Sequence, residues 1–337
     1  MNMKQTNFII TSAAFVIVIA GMKVASTILI PFLLAAFITI LTLPTLLFLN
    51  KKGFPKGISV FIIILLLIFL GGTLSTLLGT SISGFSSRIP FYTEQITNRI
   101  NWLIELISGF GFKIPKSTMN EYFDPGTAIQ IIGNTLSGLR SVLTNTFLII
   151  LTVLFLLMEV SEIPTKIKKA FPNSSDLFKS IKSFFEGFNR YLVIKTATSI
   201  FTGIFIFLWL YFIGIDFPIL WGLLAFILNF VPNVGSILAA IPAVLLAIIQ
   251  FGFLKALFVV IGFLIVNIGL GGLLEPRFLG RGLGLSPLVV FLSLVFWGWV
   301  LGPVGMLLSV PLTMILKIAL ENNSNTKWIA IIIGSDK

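Results

Sequence analysis

The sequence predicts an all-α polytopic membrane protein with about eight transmembrane helices. One or two of them are expected as broken or re-entrant hairpins, and an amphipathic helical insertion is expected outside the membrane. Three observations lead there. The chain of 337 residues is 57% hydrophobic and 10% charged, with a mean hydropathy of +1.07, whereas soluble domains carry roughly 25% charged residues. Several apolar runs approach the ~20 residues that cross a bilayer core. Two late runs are interrupted by proline and glycine, in "VPNVG" and "GPVG", where a straight span would not be.

Taken in order, "MNMKQTNFIITSAAFVIVIAGMKVAS" has the look of a signal peptide, yet further spans follow and a retained first helix over residues 8–21 serves equally well. A second span covers residues 27–49, with Pro31 in its first turn and Pro44 expected to kink it. A third covers 58–78. These make up an N-terminal region, residues 1–80. Residues 81–142 form the insertion. Ile96, Ile100, Leu103, Ile104 and Ile107 recur at helical spacing, as do Ile132, Leu136, Leu139 and Leu143, which predicts two amphipathic helices. Residues 143–190 hold a span at 143–158 and a segment whose Leu177, Ile181, Phe184, Phe185 and Phe188 share one face. That segment reads either as a helix lying in the membrane interface or as one packed on the bundle.

Residues 191–320 form the C-terminal core, followed by a tail at 321–337. Its elements are a span at 191–212, a hairpin at 217–230 and 235–249 with Asp216 as the expected cap, a span at 254–274, and a second hairpin at 287–299 and 306–320 opened by Ser286 and Pro287. The first arm of the first hairpin is too short to cross a ~30 Å core upright. Two such interrupted segments resemble an internal repeat of the kind transporters place around a substrate site.

Charge gives orientation and exclusions. The net charge is +11, but the basic residues are spread among loops, which reads as topology signal and contact with anionic lipid; no nucleic-acid partner is expected. One threading puts Lys4, Lys51, Lys52, Lys56, Lys166, Lys168, Lys169, Lys179, Lys182, Arg277 and Arg281 on a single side, so both termini are expected in the cytoplasm. Cysteine and histidine are absent. That removes disulfides, thiolate metal sites and Cys or His nucleophiles, and leaves proton movement to a carboxylate or a lysine. With no phosphate-binding loop, no HExxH and no partner for Asp216, neither nucleotide-driven pumping nor intramembrane hydrolysis is expected. The chain is read as no enzyme, with no cofactor and no metal.

The residues that can carry transport lie at the helix breaks. In "NIGLGGLLEPRFLGRGLGLSP", Asn267, Gly271 and Glu275 are spaced along one helix face. The glycines admit another backbone or leave room for a ligand. Pro276 is expected to push Glu275 out of helical geometry. Glu275 with Arg277 reads as a gate or ion-coupling pair; equally, they form a surface pair, with Arg277 and Arg281 fixing topology. In the first hairpin Asn229 and Asn233 flank Pro232, ahead of Gly235. They either coordinate a cation or polar solute or satisfy freed backbone groups. Lys195 and Arg190 are expected to snorkel from a span end.

Two C-terminal blocks carry a resemblance. "LNFVPNVGSILAAIPAVLLAI" and "LEPRFLGRGLGLSPLVVFLSLVFWGWVLGPVGMLLSVPLTMILKI" resemble the paired signature blocks of the autoinducer-2 exporter (AI-2E) family, permease-like proteins of the bacterial inner membrane, and the likeness extends over nearly the whole chain. Ser286 departs from it, since many relatives carry histidine there. The resemblance implies secondary transport or efflux of a small polar solute, with sodium/proton antiport as an alternative, by a homo-oligomer such as a pentamer. A non-transporting membrane scaffold is the alternative of another class.

Overall fold

The computed structural model describes residues 3–109, 130, 132–133, 145–160, 162, 166, 169, 175–232, 234–275, 277, 284–321 and 326–334. Its elements are α1 (Met3–Val24), α2 (Ser26–Lys51), α3 (Lys56–Ser87), α4 (Ile89–Gly109), α5 (Thr146–Glu159), α6 (Ser175–Ile213), α7 (Pro218–Leu228), α8 (Gly235–Phe251), α9 (Phe253–Val266), a π-helical segment (Asn267–Leu274), α10 (Pro287–Glu321) and α11 (Lys327–Ile333). Every regular element among the described residues is helical, as lipid demands of backbone that has no water to bond. Among the described residues, five stretches are long and apolar enough to span: Ser26–Lys51, Lys56–Ser87, Gly187–Ile213, Phe253–Leu274 and Pro287–Glu321.

Several boundaries differ from expectation for physical reasons. Pro31 and Pro44 both lie inside a continuous α2, so Pro31 is beyond the first turn. The hydroxyls of Thr39 and Thr42 there bond back to the carbonyls of Ala35 and Ile38 at 2.7 and 2.9 Å, which settles two polar groups in an apolar helix. The 32 residues of α3 rise roughly 48 Å at ~1.5 Å each, far more than the core needs. The segment around Leu177–Phe188 is not a separate helix; it is the first part of the 39-residue α6. Gly187, between this segment and the span, costs only about 1 kcal/mol and does not stop the helix. Of the expected insertion helices, the first is α4; the second falls largely outside the described residues, with Ile132 buried.

The chain forms two compact units. Unit 1 comprises Met1–Phe69, Asn145–Ile194 and Leu279–Lys337. In it α2 packs on α5, and α10 packs on α1, α2 and α11. Phe188, Tyr191, Leu192, Leu285, Val310 and Met314 form one of its buried clusters. The second hairpin is here. α10 breaks at Gly302 (φ 66°, ψ −152°), a backbone open to glycine. The Trp297 indole N–H donates to Thr313 Oγ1 at 3.0 Å; along an unbroken helix these residues would stand roughly 24 Å apart, so the chain folds back on itself. Ser286 Oγ accepts from the Val289 amide at 3.3 Å, the cap expected before Pro287.

Unit 2 comprises Leu70–Thr144 and Lys195–Phe278. α7 and α8 pack as the first hairpin, and α8 packs on α9 and α4. Its core contains Phe85, Tyr92, Leu210, Trp221, Leu246 and Phe263. Where α6 meets α7, the backbones touch: a Cβ on Gly203 would lie 2.9 Å from the Gly222 carbonyl oxygen, and one on Gly222 would lie 2.8 Å from that of Gly203. At the hairpin turn, a Cβ on Gly235 would strike the Leu228 carbonyl. Both contacts are of the small-residue kind that brings membrane helices close.

Candidate transport site

The spanning part of α6 carries a polar stripe. Lys195, Thr198, Ser199 and Thr202 are all buried, at offsets of three, four and seven that put them on one helix face. Two elements of unit 2 meet this stripe. From the first hairpin, the Asn229 amide N–H donates to Ser199 Oγ at 3.0 Å. From the end of the π segment, Glu275 receives Lys195 Nζ on both carboxylate oxygens, at 2.8 and 2.9 Å. The two side chains are 7% and 14% exposed. Taking two charges out of water costs several kcal/mol per ion, which only close, fully bonded geometry offsets. Intramembrane ionisable residues mark substrate and ion pathways by default.

The stripe also has spare bonding capacity. The Thr202 hydroxyl on this face, and that of Thr196 roughly a quarter-turn round the helix, are buried with no hydrogen-bond partner among the described residues, whereas Thr198 donates to the Lys195 carbonyl at 3.0 Å. Depth follows from helix rise. Between Ser199, where the hairpin tip arrives, and Ile213, whose carbonyl accepts from Lys255 at 3.3 Å, α6 climbs roughly 21 Å. The first hairpin thus ends about one turn short of the ion pair, alongside the span and inside its length.

The π segment aims Glu275. π turns are rare and concentrate at functional sites. Glycines at 269, 271 and 272 line this one. A Cβ on Gly269 would meet nothing within 4 Å, and one on Gly271 would meet only Asn267 Oδ1 at 3.4 Å. Among the described residues, the glycines leave open space here and seat no second backbone. Asn267 lines a cleft of about 180 Å³ together with Ser236, Ile237, Ala240, Val260, Phe263 and Leu264.

A sequence model described as AI-2E family transporter matches residues 13–325. The chain belongs to that family. It is 39% identical over 326 residues to "AI-2 transport protein TqsA" of Escherichia coli K12, covering 97% of this chain and 95% of that one. It is 38% identical to a "Putative transport protein" of Haemophilus influenzae, with 96% and 94% covered, and 32% identical to "Putative transport protein YhhT" of E. coli K12, with 96% and 92% covered. This AI-2E protein is therefore a multi-pass transporter of the bacterial inner membrane, and not an enzyme.

Within the AI-2E chain the expected site residues separate. Asn229 and Glu275 meet the stripe. Asn267 lies on the cleft, with Gly271 beside it. Gly235 and Pro232 belong to the hairpin turn, where the Pro232 carbonyl accepts from Val234 at 2.6 Å. Asn233, Pro276 and Arg281 lie outside the described residues. Three expectations are corrected. Glu275 keeps helical dihedrals (φ −56°, ψ −48°) despite the proline that follows. Its carboxylate is held by Lys195, while Arg277 is exposed and has no ion pair to Glu275 among the described residues. Asp216 likewise does not cap α7: Phe217 is the N-cap and no side chain caps it.

The residue missed by sequence is Lys195. Placing the start of the span at 191 put this lysine near a membrane face, where snorkelling is the default. Because α6 begins at Ser175, Lys195 is interior and turns inward. The signal was present in the lysine and hydroxyls at helical spacing in an otherwise apolar run, "YLVIKTATSIFTGIF".

Proposed function

We propose that this protein moves a small polar solute across the inner membrane along the polar face of α6. In this reading Lys195 and Glu275 form an electrostatic lock, and Asn229, with Pro232 and Gly235, forms the hairpin tip about one turn away; Asn233 is kept as a candidate from the sequence alone. The buried Lys195–Glu275 ion pair carries the reading. A membrane protein keeps such a pair at a cost, and the Thr202 hydroxyl on the same helix face has no hydrogen-bond partner among the described residues. Asn267, on the cleft between α8 and α9, and Gly271 one turn on are kept as further candidates. Arg277 and Arg281 act as cytoplasmic topology signals.

The relative named as an AI-2 transport protein supports export of a small hydroxylated solute. The lysine distribution supports cytoplasmic termini and an external insertion at 81–142. The resemblance supports a homo-oligomer, with a pentamer as the count to test by mass measurement in detergent. Sodium/proton antiport rests on the same pair, since without histidine a carboxylate or a lysine must carry the proton.

The deciding experiment is flux in proteoliposomes, with a radiolabelled pentitol and sodium-22 as probes. Asn229→Leu, and Lys195→Met combined with Glu275→Leu, which strands no charge, should each lower flux while the protein stays folded. Pentitol flux with no sodium dependence supports the exporter reading, and sodium-22 exchange driven by a pH gradient supports antiport. Variants that transport as wild type would remove the site from this stripe.

A further inference from the structure

At the opposite end of unit 2, a second set of polar contacts joins α4 to the base of the first hairpin. Asp216, the residue before the hairpin, accepts from Arg88 Nη1 at 2.6 Å and from the Tyr92 hydroxyl at 2.8 Å. At the other leg, Arg99 donates from Nε to the Ile249 carbonyl and from Nη2 to the Gln250 carbonyl, both at 3.0 Å. These are the last carbonyls of α8, where a helix leaves acceptors unpaired and its dipole favours a cation. The two legs are also tied to each other, since the Asp216 amide donates to Gln250 Oε1 at 3.2 Å.

The α4 side is a single helix face. Arg88, at the turn before α4, and Tyr92, Ile96 and Arg99 on it follow one another at offsets of four, eight and eleven, three helical turns. Ile96 packs against the core of unit 2. The face therefore runs across both legs of the hairpin for roughly 16 Å. The backbone at the base is strained or left-handed: Phe217 has φ 58°, and Gly214 and Gly252 both have φ 88°. Phe217 is a bulky residue in a conformation it seldom adopts. It stays there because Gly84 of α3 leaves room for its ring, Phe85 packs edge-on at 6.1 Å, and Arg88 sits over it at 5.7 Å.

We propose that Arg88, Tyr92 and Arg99 are positioning residues that clasp both legs of the first hairpin, so that α4 sets how deeply the hairpin tip sits beside the polar face of α6. This rests on the transport reading only for its effect on flux; the clasp itself is tested without any solute. The cysteine-free sequence allows a spin-label pair at Thr97→Cys and Ile237→Cys, measured in full-length protein in nanodiscs alongside amide hydrogen exchange. Arg99→Met and Asp216→Asn should broaden the distance distribution. They should also speed exchange over residues 214–251 by roughly fivefold or more, the low end of coupling between sites, with exchange elsewhere unchanged. Arg88→Asp alone should do the same, and Arg88→Asp with Asp216→Arg should recover part of the narrow distribution. Tyr92→Phe, which keeps the buried ring, is the mild variant should Arg99→Met not fold.

A uniform rise in exchange, or none, overturns the clasp and leaves these residues as ordinary stabilising contacts. If the hairpin loosens as expected while maximal pentitol and sodium-22 flux stays at the wild-type value, the clasp stands and the α6 route is wrong. Altered maximal flux at an unchanged half-saturating concentration supports both.

Discussion

Removing Lys195 tests the central ion pair most directly. With its partners 7% and 14% exposed, the pair belongs with buried salt bridges, where deleting one partner costs about 3–5 kcal/mol because a charge is left uncompensated. By contrast, Arg88 and Asp216 are 55% and 25% exposed, and such a pair is worth about 0–1 kcal/mol. Lys195→Met should therefore destabilise strongly, and Glu275→Leu by a similar amount. The double variant should return close to wild-type stability, since replacing a whole buried pair by apolar side chains is neutral or stabilising. At roughly 2 °C per kcal/mol for a chain of this size class, each single variant should melt about 6–10 °C lower. Intrinsic tryptophan fluorescence at one fixed heating rate is the assay, because membrane proteins commonly unfold irreversibly and apparent midpoints depend on scan rate. The restored double variant should still transport poorly, which separates stability from function. Single variants melting within about 2 °C of wild type would refute the argument, because no buried charge would then have been stranded.

Three further outcomes are expected. In intact cells Ser117→Cys should react with an impermeant maleimide and Ser175→Cys should not; reversed labelling would sink the cytoplasmic placement of the termini. Gly222→Val should cost about 1–3 kcal/mol by overpacking, since its Cβ would stand 2.8 Å from the Gly203 carbonyl oxygen; Gly269→Ala, which enters open space, should be neutral or slightly stabilising in the same melts. Burial, and then the hydrogen bond to Asp216, raises the Tyr92 pKa above its ordinary value of about 10. The stability this contributes is fully present below pH ~10 and is lost as pH rises through the folded value. Melting followed from pH 7 to 11 should thus fall more steeply at the alkaline end for wild type than for Tyr92→Phe, and parallel curves would contradict the assignment.

Lipid as solvent made most of the architecture legible. Apolar length marked the spans, and proline with glycine marked both hairpins, because a broken helix in a membrane needs a local cause. The cap at Ser286 was legible for the same reason, being a short-range contact. What the sequence hid was tertiary. Whether Lys195 snorkels or turns inward depends on where α6 starts, and no stop signal between Ser175 and Ile213 revealed that it is one helix. The partner of Glu275 could not be found from nearest neighbours, since Lys195 is eighty positions away. Arg277, two residues on, suggested itself only by proximity. Asp216 read as a helix cap because its chain position suits one, yet two stronger donors from α3–α4 take its carboxylate.

The π segment has a consequence for how such chains diverge. A π turn holds more residues per turn than an α turn, so Asn267–Leu274 behaves like an α-helix into which a residue has been slipped. Everything after it is rotated relative to everything before it. One deletion or insertion among Gly269, Gly271 and Gly272 would swing Glu275 to another side of its helix while every side chain named here kept its identity. A relative can thus retain both Lys195 and Glu275 and still not pair them, and a comparison by identity alone would miss the difference. Deleting Gly272 makes that edit in this chain, and a melt matching that of Lys195→Met would show that angular register holds the pair together.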